Sequence, residues 1–346
     1  METQWYRMDT KDHRKRNLAE AAKILRGGGI LGIPTETVYG LGANALNEKA
    51  VGKIFTAKGR PQDNPLLIHV LGDSWLERYC EDIPEEAYKL TRSFWPGPLT
   101  LILKRKNCIP DKTAAGLSTV GVRCPDNEIT RMLLRVTNFP IAAPSANRSG
   151  RPSCVTAEEV LEDMDGKIEG IIDGGRCRIG VESTILDMTE RVPRLLRPGG
   201  LALEEIESVL GTVKSDETAG MVRKRDEKPR APGMKYRHYA PIASVMAVTG
   251  DGERSARYIA AHADTGDGVL CYEEYLDFFT EQIVQNFGKE QDGPEHSRRI
   301  FSALRFFDST EVKKIWVQCP EEKGLDYAVR NRIEKAAEFH IYSSDN

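Results

Sequence analysis

The chain has 346 residues, long enough for two domains at the usual ~100–200 residues each. Hydrophobic residues make up 40% and charged residues 29%, with Lys+Arg 49 against Asp+Glu 52, which excludes a collagen-like, disordered or strongly basic chain. A net charge of -3 removes any global electrostatic case for nucleic acid and leaves the question to local charge placement.

The N-terminal METQWYRMDTKDHRKR is charged from its second residue and has no apolar signal segment, and no apolar run approaches the ~20 residues of a membrane span. A cytoplasmic protein with no membrane partner is expected. From Asn17 to Arg26, Leu18, Ala21, Ala22 and Leu25 recur at helical spacing and stop at Gly27-Gly28-Gly29, a helix terminator. The apolar runs ILGI, LLIHV, LTLIL, VGVRC, IAAP, GIIDGG, STILDM and RLLRPG then read as short strands bounded by Gly, Pro or Asn. Helical stretches at 48–57, 85–94, 128–136 and 157–164 alternate with them, predicting an α/β domain with a mixed sheet over residues 1–211.

Residues 212–231 are dense in charge and nearly free of large apolar side chains, as in an exposed linker. PGMKYRHYAP, Pro232–Pro241, follows; its two tyrosines and two cations suit a piece that covers the first domain, or one that packs the domains together. Strand and helix signals resume in SVMAVTG, 255–263, GVLCY, 298–307, KKIWVQ and 326–337, predicting a small α/β domain over 242–346. The seven cysteines stand singly without a CxxC pair, so reduced thiols are expected and a cysteine zinc site is not.

Three segments carry chemistry. In Lys58-Gly59-Arg60-Pro61-Gln62-Asp63-Asn64-Pro65 the two prolines fix a doubly cationic loop; it reads as an anion receiver or as a basic surface loop. Pro144-Ser145-Ala146-Asn147-Arg148-Ser149-Gly150-Arg151-Pro152-Ser153 follows a strand and offers the small donors that bind phosphorylated ligands at sheet ends, although Ser and Asn are also turn formers. Together the two loops suggest a triphosphate cradle. In Pro34-Thr35-Glu36-Thr37-Val38-Tyr39-Gly40-Leu41-Gly42 the glycines follow a polar loop, so a dinucleotide fingerprint is rejected, and no Walker A loop is present. His69 falls in a strand, as a hydrogen-bonded core residue or as a ligand. Arg123 and Arg197 end strands and, if buried, need anionic partners. No clustered His/Cys set or calcium loop exists, so no permanent protein-held metal is expected.

In order, PTETVYGLG, KGRPQDNPL, WPGPLT, GVRCP, PSANRSG, GVESTI and LLRPG closely resemble the YrdC/Sua5 family of L-threonylcarbamoyladenylate synthases. The likeness covers residues from about 15 to 211, and APGMKYRHYAP with the small domain resembles the longer Sua5 architecture. It implies a YrdC-like domain with a twisted mixed sheet and flanking helices, plus a smaller, Rossmann-like α/β Sua5 C-terminal domain. It also implies condensation of L-threonine, bicarbonate and ATP into threonylcarbamoyl-AMP and pyrophosphate, the first step of N6-threonylcarbamoyladenosine formation at adenosine 37 of tRNAs reading ANN codons. The family's KxR and SxN signatures fall on Lys58, Arg60, Ser145 and Asn147, the implied catalytic set. Implied threonine contacts are Thr35, His69, Arg123 and Ser183. Implied ATP contacts are Lys58, Arg60, Gln62, Thr119, Ser145, Ser153, Arg197 and Tyr236. Mg2+ would arrive with ATP; the implied downstream partner is a threonylcarbamoyl transferase complex, with room for weak tRNA binding. The competing class is a double-stranded RNA-binding module without catalysis, and a carbamoyl-phosphate-using maturation enzyme would carry zinc-finger cysteine pairs that this chain lacks.

Overall fold

The structure, a computed structural model, describes residues 2–215, 231 and 238–345. These form two units, the first from residues 2–149, 154–178, 182–215 and 231, the second from 150–153, 179–181 and 238–345. The charged stretch 216–230 and residues 232–237, including Tyr236, lie outside the described residues, and with them most of the expected covering segment.

In the first unit twelve strands among the described residues form one mixed sheet. Its order is Gln4–Arg7, Gly170–Asp173, Leu31–Ile33, Gly40–Asn44, Ile141–Ala142, Leu67–His69, Thr119–Arg123, Leu99–Arg105, Thr184–Asp187, Arg194–Arg197 and Lys214–Ser215, with Cys80–Glu81 beside Leu99–Arg105. The strands bury both faces, which is why they read as continuous apolar runs: Leu31, Ile33, Ile68, Leu101, Val122, Ile171 and Ile185 are all fully buried. The first helix runs Lys11–Arg26 and starts six residues before the apolar spacing does, because Thr10 caps it by accepting a hydrogen bond from His13 N at 3.1 Å. The helices Glu85–Phe94 and Ala157–Met164 fall where the periodicity puts them.

Gly40-Leu41-Gly42 is part of a strand, paired antiparallel with Leu31–Ile33. A Cβ on Gly40 would stand 3.0 Å from the Cβ of Ala143, so the glycine serves close strand packing.

The second unit holds a five-stranded sheet in the order Ile283–Asn286, Gly268–Cys271, Lys314–Gln318, Ser244–Thr249, Ile341–Ser343. Every pairing is parallel. The helices Gly252–His262, Gly293–Asp308 and Gly324–Ala336 lie in the crossovers. Val248, Ala256, Ile259, Val269 and Trp316 pack one core between a helix and the sheet.

Candidate active site

Helix Glu48–Lys58 delivers the first cation. Asn47 caps its start, accepting from Lys49 N at 3.0 Å and Ala50 N at 3.2 Å, and its apolar side buries Ala50, Val51, Ile54 and Phe55. Gly59, with φ +61, ends the helix in the left-handed conformation that glycine adopts without strain. Lys58 is therefore the last helical residue, and it is buried. Its Nζ donates to the carbonyl of Ser145 at 2.6 Å and to that of Asn147, while Ser149 N donates back to the Lys58 carbonyl at 2.9 Å. The two sequence-predicted loops are thus joined through one ammonium group. Arg60, also buried, braces its own loop by donating from Nε to Asn64 O at 3.3 Å and from Nη2 to Pro65 O at 3.0 Å. Ser145 is half-buried and pairs with Gly40 in an isolated bridge, and Asn147 donates from Nδ2 to the Arg148 carbonyl at 2.7 Å.

A second cluster gathers around Arg123. Thr35 folds the loop after Leu31–Ile33 by accepting from Thr37 N at 3.1 Å and Val38 N at 3.2 Å. That turn puts Glu36 against Arg123, with Oε1 2.7 Å from Nη2 and the two side chains 1% and 4% exposed. Arg123 also donates from Nη1 to Thr37 Oγ1 at 2.9 Å and from Nε to Gly97 O at 3.2 Å. His69 lies directly across the parallel ladder from Arg123. Burial first, and then the Arg123 charge, pushes the His69 pKa down to about 3, so the imidazole is neutral at physiological pH. Its buried Nδ1 has no hydrogen-bond partner among the described residues.

Across the next strand, Leu99–Arg105, Ser183 Oγ shares a 2.7 Å hydrogen bond with Thr100 Oγ1, and Arg197 donates from Nη2 to the Ser183 carbonyl at 2.8 Å. A Cβ on Gly199 would lie 2.3 Å from Ser183 C and Thr184 N, so only glycine lets that turn approach the Ser183 backbone so closely.

Sequence reasoning missed Glu36, Thr37, Thr100 and Gly199. Glu36 carried a usable signal, since it stands in a segment already singled out and Arg123 required a carboxylate if buried. The other expected ATP contacts among the described residues are Thr119, Gln62 and Ser153. Thr119 is half-buried at the far end of its strand from Arg123, in register with Lys104 and four residues or ~13 Å away. Gln62 is exposed and lines, together with Lys58, a recess of about 1180 Å3 that also takes in Lys49, Lys53, Lys112, Arg148 and Lys167. Ser153 is buried in the second unit.

Buried guanidinium and ammonium groups at loop and strand ends, beside hydroxyls and a neutral imidazole, define an α/β protein built to receive an anionic small molecule. The family model described as "Telomere recombination", for the Sua5, YciO and YrdC proteins, matches residues 23–199, and that described as "Threonylcarbamoyl-AMP synthase, C-terminal domain" matches residues 201–338. The chain belongs to the Sua5 branch of the threonylcarbamoyl-AMP synthase family. It is 48% identical to the threonylcarbamoyl-AMP synthase of Pyrococcus abyssi over 93% of this chain and 94% of that one. The Bacillus subtilis threonylcarbamoyl-AMP synthase is 43% identical over 97% of this chain and 98% of its own. The crystal structure of P. abyssi Sua5 complexed with L-threonine superposes with a TM-score of 0.89 at 44% identity, covering 98% of both chains.

Proposed function

We propose that this chain is a nucleotidyltransferase that condenses L-threonine, bicarbonate or CO2 and ATP into threonylcarbamoyl-AMP and pyrophosphate, supplying the threonylcarbamoyl group for adenosine 37 of tRNAs reading ANN codons. The observation that carries the reading is the joining of the KGRP and PSAN loops by the buried Lys58 ammonium, in the same sheet domain that gathers Arg123, His69 and Ser183 into a second cluster. The L-threonine complex of the P. abyssi relative supports the amino acid as the substrate.

In this reading Arg123 and Ser183 receive the threonine carboxylate and hydroxyl, with Thr35 and the neutral His69 closing the subsite. The threonine amine attacks CO2, forming an N–C bond and releasing a proton; a carbamate oxygen then attacks the α-phosphorus, and the bond to the β-phosphate oxygen breaks. Charge collects on phosphate oxygens, so fixed cations and donors supply most of the catalysis. Lys58, Arg60, Ser145, Asn147 and Arg197 provide them, and Gln62, Thr119, Ser153 and Tyr236 complete the nucleotide contacts. Magnesium enters with ATP, held by phosphates and water.

The product passes to a threonylcarbamoyl transferase complex in the cytoplasm. No helix among the described residues is long and apolar enough to cross a membrane. The basic recess beside Gln62 offers tRNA phosphates a weak docking place.

The test is pyrophosphate release from ATP with bicarbonate, with and without L-threonine, and mass spectrometry of the nucleotide product. Threonine-dependent release with a threonylcarbamoyl-AMP mass is expected. Double-stranded RNA binding without that release establishes the non-catalytic class instead.

A further inference from the structure

The strand Leu99–Arg105 stands between the strands that carry the two main groups of the threonine subsite. Its neighbours in the sheet are Thr119–Arg123 on one side and Thr184–Asp187 on the other. The segment that opens it reaches both. Gly97 O accepts from Arg123 Nε at 3.2 Å, Pro98 O accepts from Thr184 N at 2.9 Å, and the hydroxyl of Thr100 meets that of Ser183 at 2.7 Å. Residues 97–100 therefore brace Arg123 through the first of these bonds and the Ser183–Thr184 corner through the other two.

The bond between the two hydroxyls has a direction that proton counting settles. A hydroxyl donates one proton and accepts on two lone pairs. Thr100 is fully buried on an interior strand, and Ser183 is the sole hydrogen-bond partner of its hydroxyl among the described residues. If Ser183 donated, the Thr100 proton would be left without an acceptor between two flanking strands, at a cost of ~1–3 kcal/mol. Thr100 therefore donates. Ser183 Oγ also lies 3.4 Å from Arg197 Nη2, a guanidinium nitrogen that can only donate. Both lone pairs of Ser183 then face donors, and its own proton has no acceptor among the described residues. Ser183 stands in the loop ahead of Thr184–Asp187, in the subsite proposed for threonine, where the substrate brings the acceptor that the protein lacks.

We propose that Thr100 is a positioning residue for the substrate threonine: by donating to Ser183 Oγ it makes Ser183 a donor, and the threonine oxygen that meets Ser183 is bound as an acceptor. This rests on the threonine-activating reading above and adds the direction in which the subsite's hydrogen bonds run. Arg123 and Ser183 then both offer only protons, which suits the oxygens of the substrate and turns its nitrogen away, because an ammonium group cannot accept. The amino acid is thereby oriented with its amine clear of Ser183 and free for the attack on CO2.

The test is steady-state pyrophosphate release at varied L-threonine and, separately, at varied ATP, for the parent chain, Thr100→Val and Thr100→Ser. Valine keeps the branched shape without the hydroxyl, and serine keeps the hydroxyl without the methyl. Thr100→Val should raise KM for threonine ~3–10-fold, the span of one neutral hydrogen bond, and leave KM for ATP within ~2-fold of the parent. Thr100→Ser should stay within ~2-fold of the parent for both substrates. If a lowered Tm shows that valine packs badly, Thr100→Ala makes the same comparison. By isothermal titration, Thr100→Val/Ser183→Ala should bind threonine no more weakly than Ser183→Ala alone, because Thr100 acts only through Ser183. An unchanged threonine KM in Thr100→Val, equal rises in KM for threonine and ATP, or a double variant weaker than Ser183→Ala by the full Thr100→Val factor overturns the role of Thr100. Failure of the underlying reading looks different: the parent chain itself then releases no pyrophosphate in response to threonine, and the role of Thr100 falls with it.

Discussion

Glu36→Gln is the most informative single substitution, because the Glu36–Arg123 pair is both structural and part of the proposed threonine subsite. The partners stand 2.7 Å apart and at most 4% exposed, so solvent screens neither. Replacing the carboxylate with an amide leaves Arg123 its bonds to Gly97 and Thr37 and takes away its only recorded counter-charge among the described residues. Breaking a buried pair on one side costs ~3–5 kcal/mol, and in a domain of this size each kcal/mol moves Tm by ~2–4 °C, so Tm should fall by roughly 6–20 °C. L-Threonine then provides the missing negative charge. At 100 times its Kd a ligand adds ~2.7 kcal/mol to any binding-competent protein. The threonine-induced rise in Tm at a fixed concentration should therefore be larger in Glu36→Gln than in the parent. The double variant Glu36→Gln/Arg123→Met should be more stable than the sum of the single changes by ~1–3 kcal/mol. Scanning fluorimetry with and without threonine reads all of these. A Tm within ~2 °C of the parent, or equal threonine shifts in both proteins, refutes the electrostatic reasoning.

Lys58→Met keeps the length of the side chain but removes the ammonium that holds the Ser145 and Asn147 carbonyls; pyrophosphate release should fall ~10-fold or more, and wild-type turnover would remove Lys58 from the mechanism. His69 has its folded pKa depressed to about 3 from an ordinary 6.5, so its contribution is complete above about pH 6.5 and is lost as pH falls toward 3. Urea midpoints between pH 7.5 and 5 should accordingly drop more steeply in the parent than in His69→Asn, by up to ~1.4 kcal/mol per pH unit, and parallel curves would contradict the burial argument. Gly199→Ala forces a Cβ to 2.3 Å from the Ser183 backbone and should cost ~1–3 kcal/mol while weakening threonine binding, which calorimetry at matched temperature would detect.

Where elements were legible, one local signal sufficed. The runs LTLIL and VGVRC became strands because burial on both faces demands unbroken apolar residues, and 157–164 became a helix bounded as its periodicity indicates. The elements that escaped are held by distant partners. Gln4–Arg7 pairs with Gly170–Asp173 from the other end of the domain, with Trp5 Nε1 donating to Asp173 at 3.2 Å, and nothing within QWYR announces that. Gly40–Asn44 contains two glycines, which disfavour a strand until the neighbours on both sides are in place. Ile283–Asn286 is a half-exposed edge strand without a sustained apolar run.

The site was legible in the same divided way. Proline-braced cations revealed that Lys58 and Arg60 are aimed, but not at what, and their recorded bonds go to the protein's own carbonyls: Ser145 and Asn147 for one, Asn64 and Pro65 for the other. Arg197 likewise holds the Ser183 carbonyl, and Arg123 holds Glu36. Spending charge on carbonyls fixes each cation before a substrate arrives, so the free energy of orienting it belongs to folding, not to the reaction step. That arrangement also explains why a net charge of -3 carried no hint of a site for anions. The four cations are buried, and Glu36 cancels one of them at contact distance, so their field is local and acts on a ligand that enters far more than on one that passes.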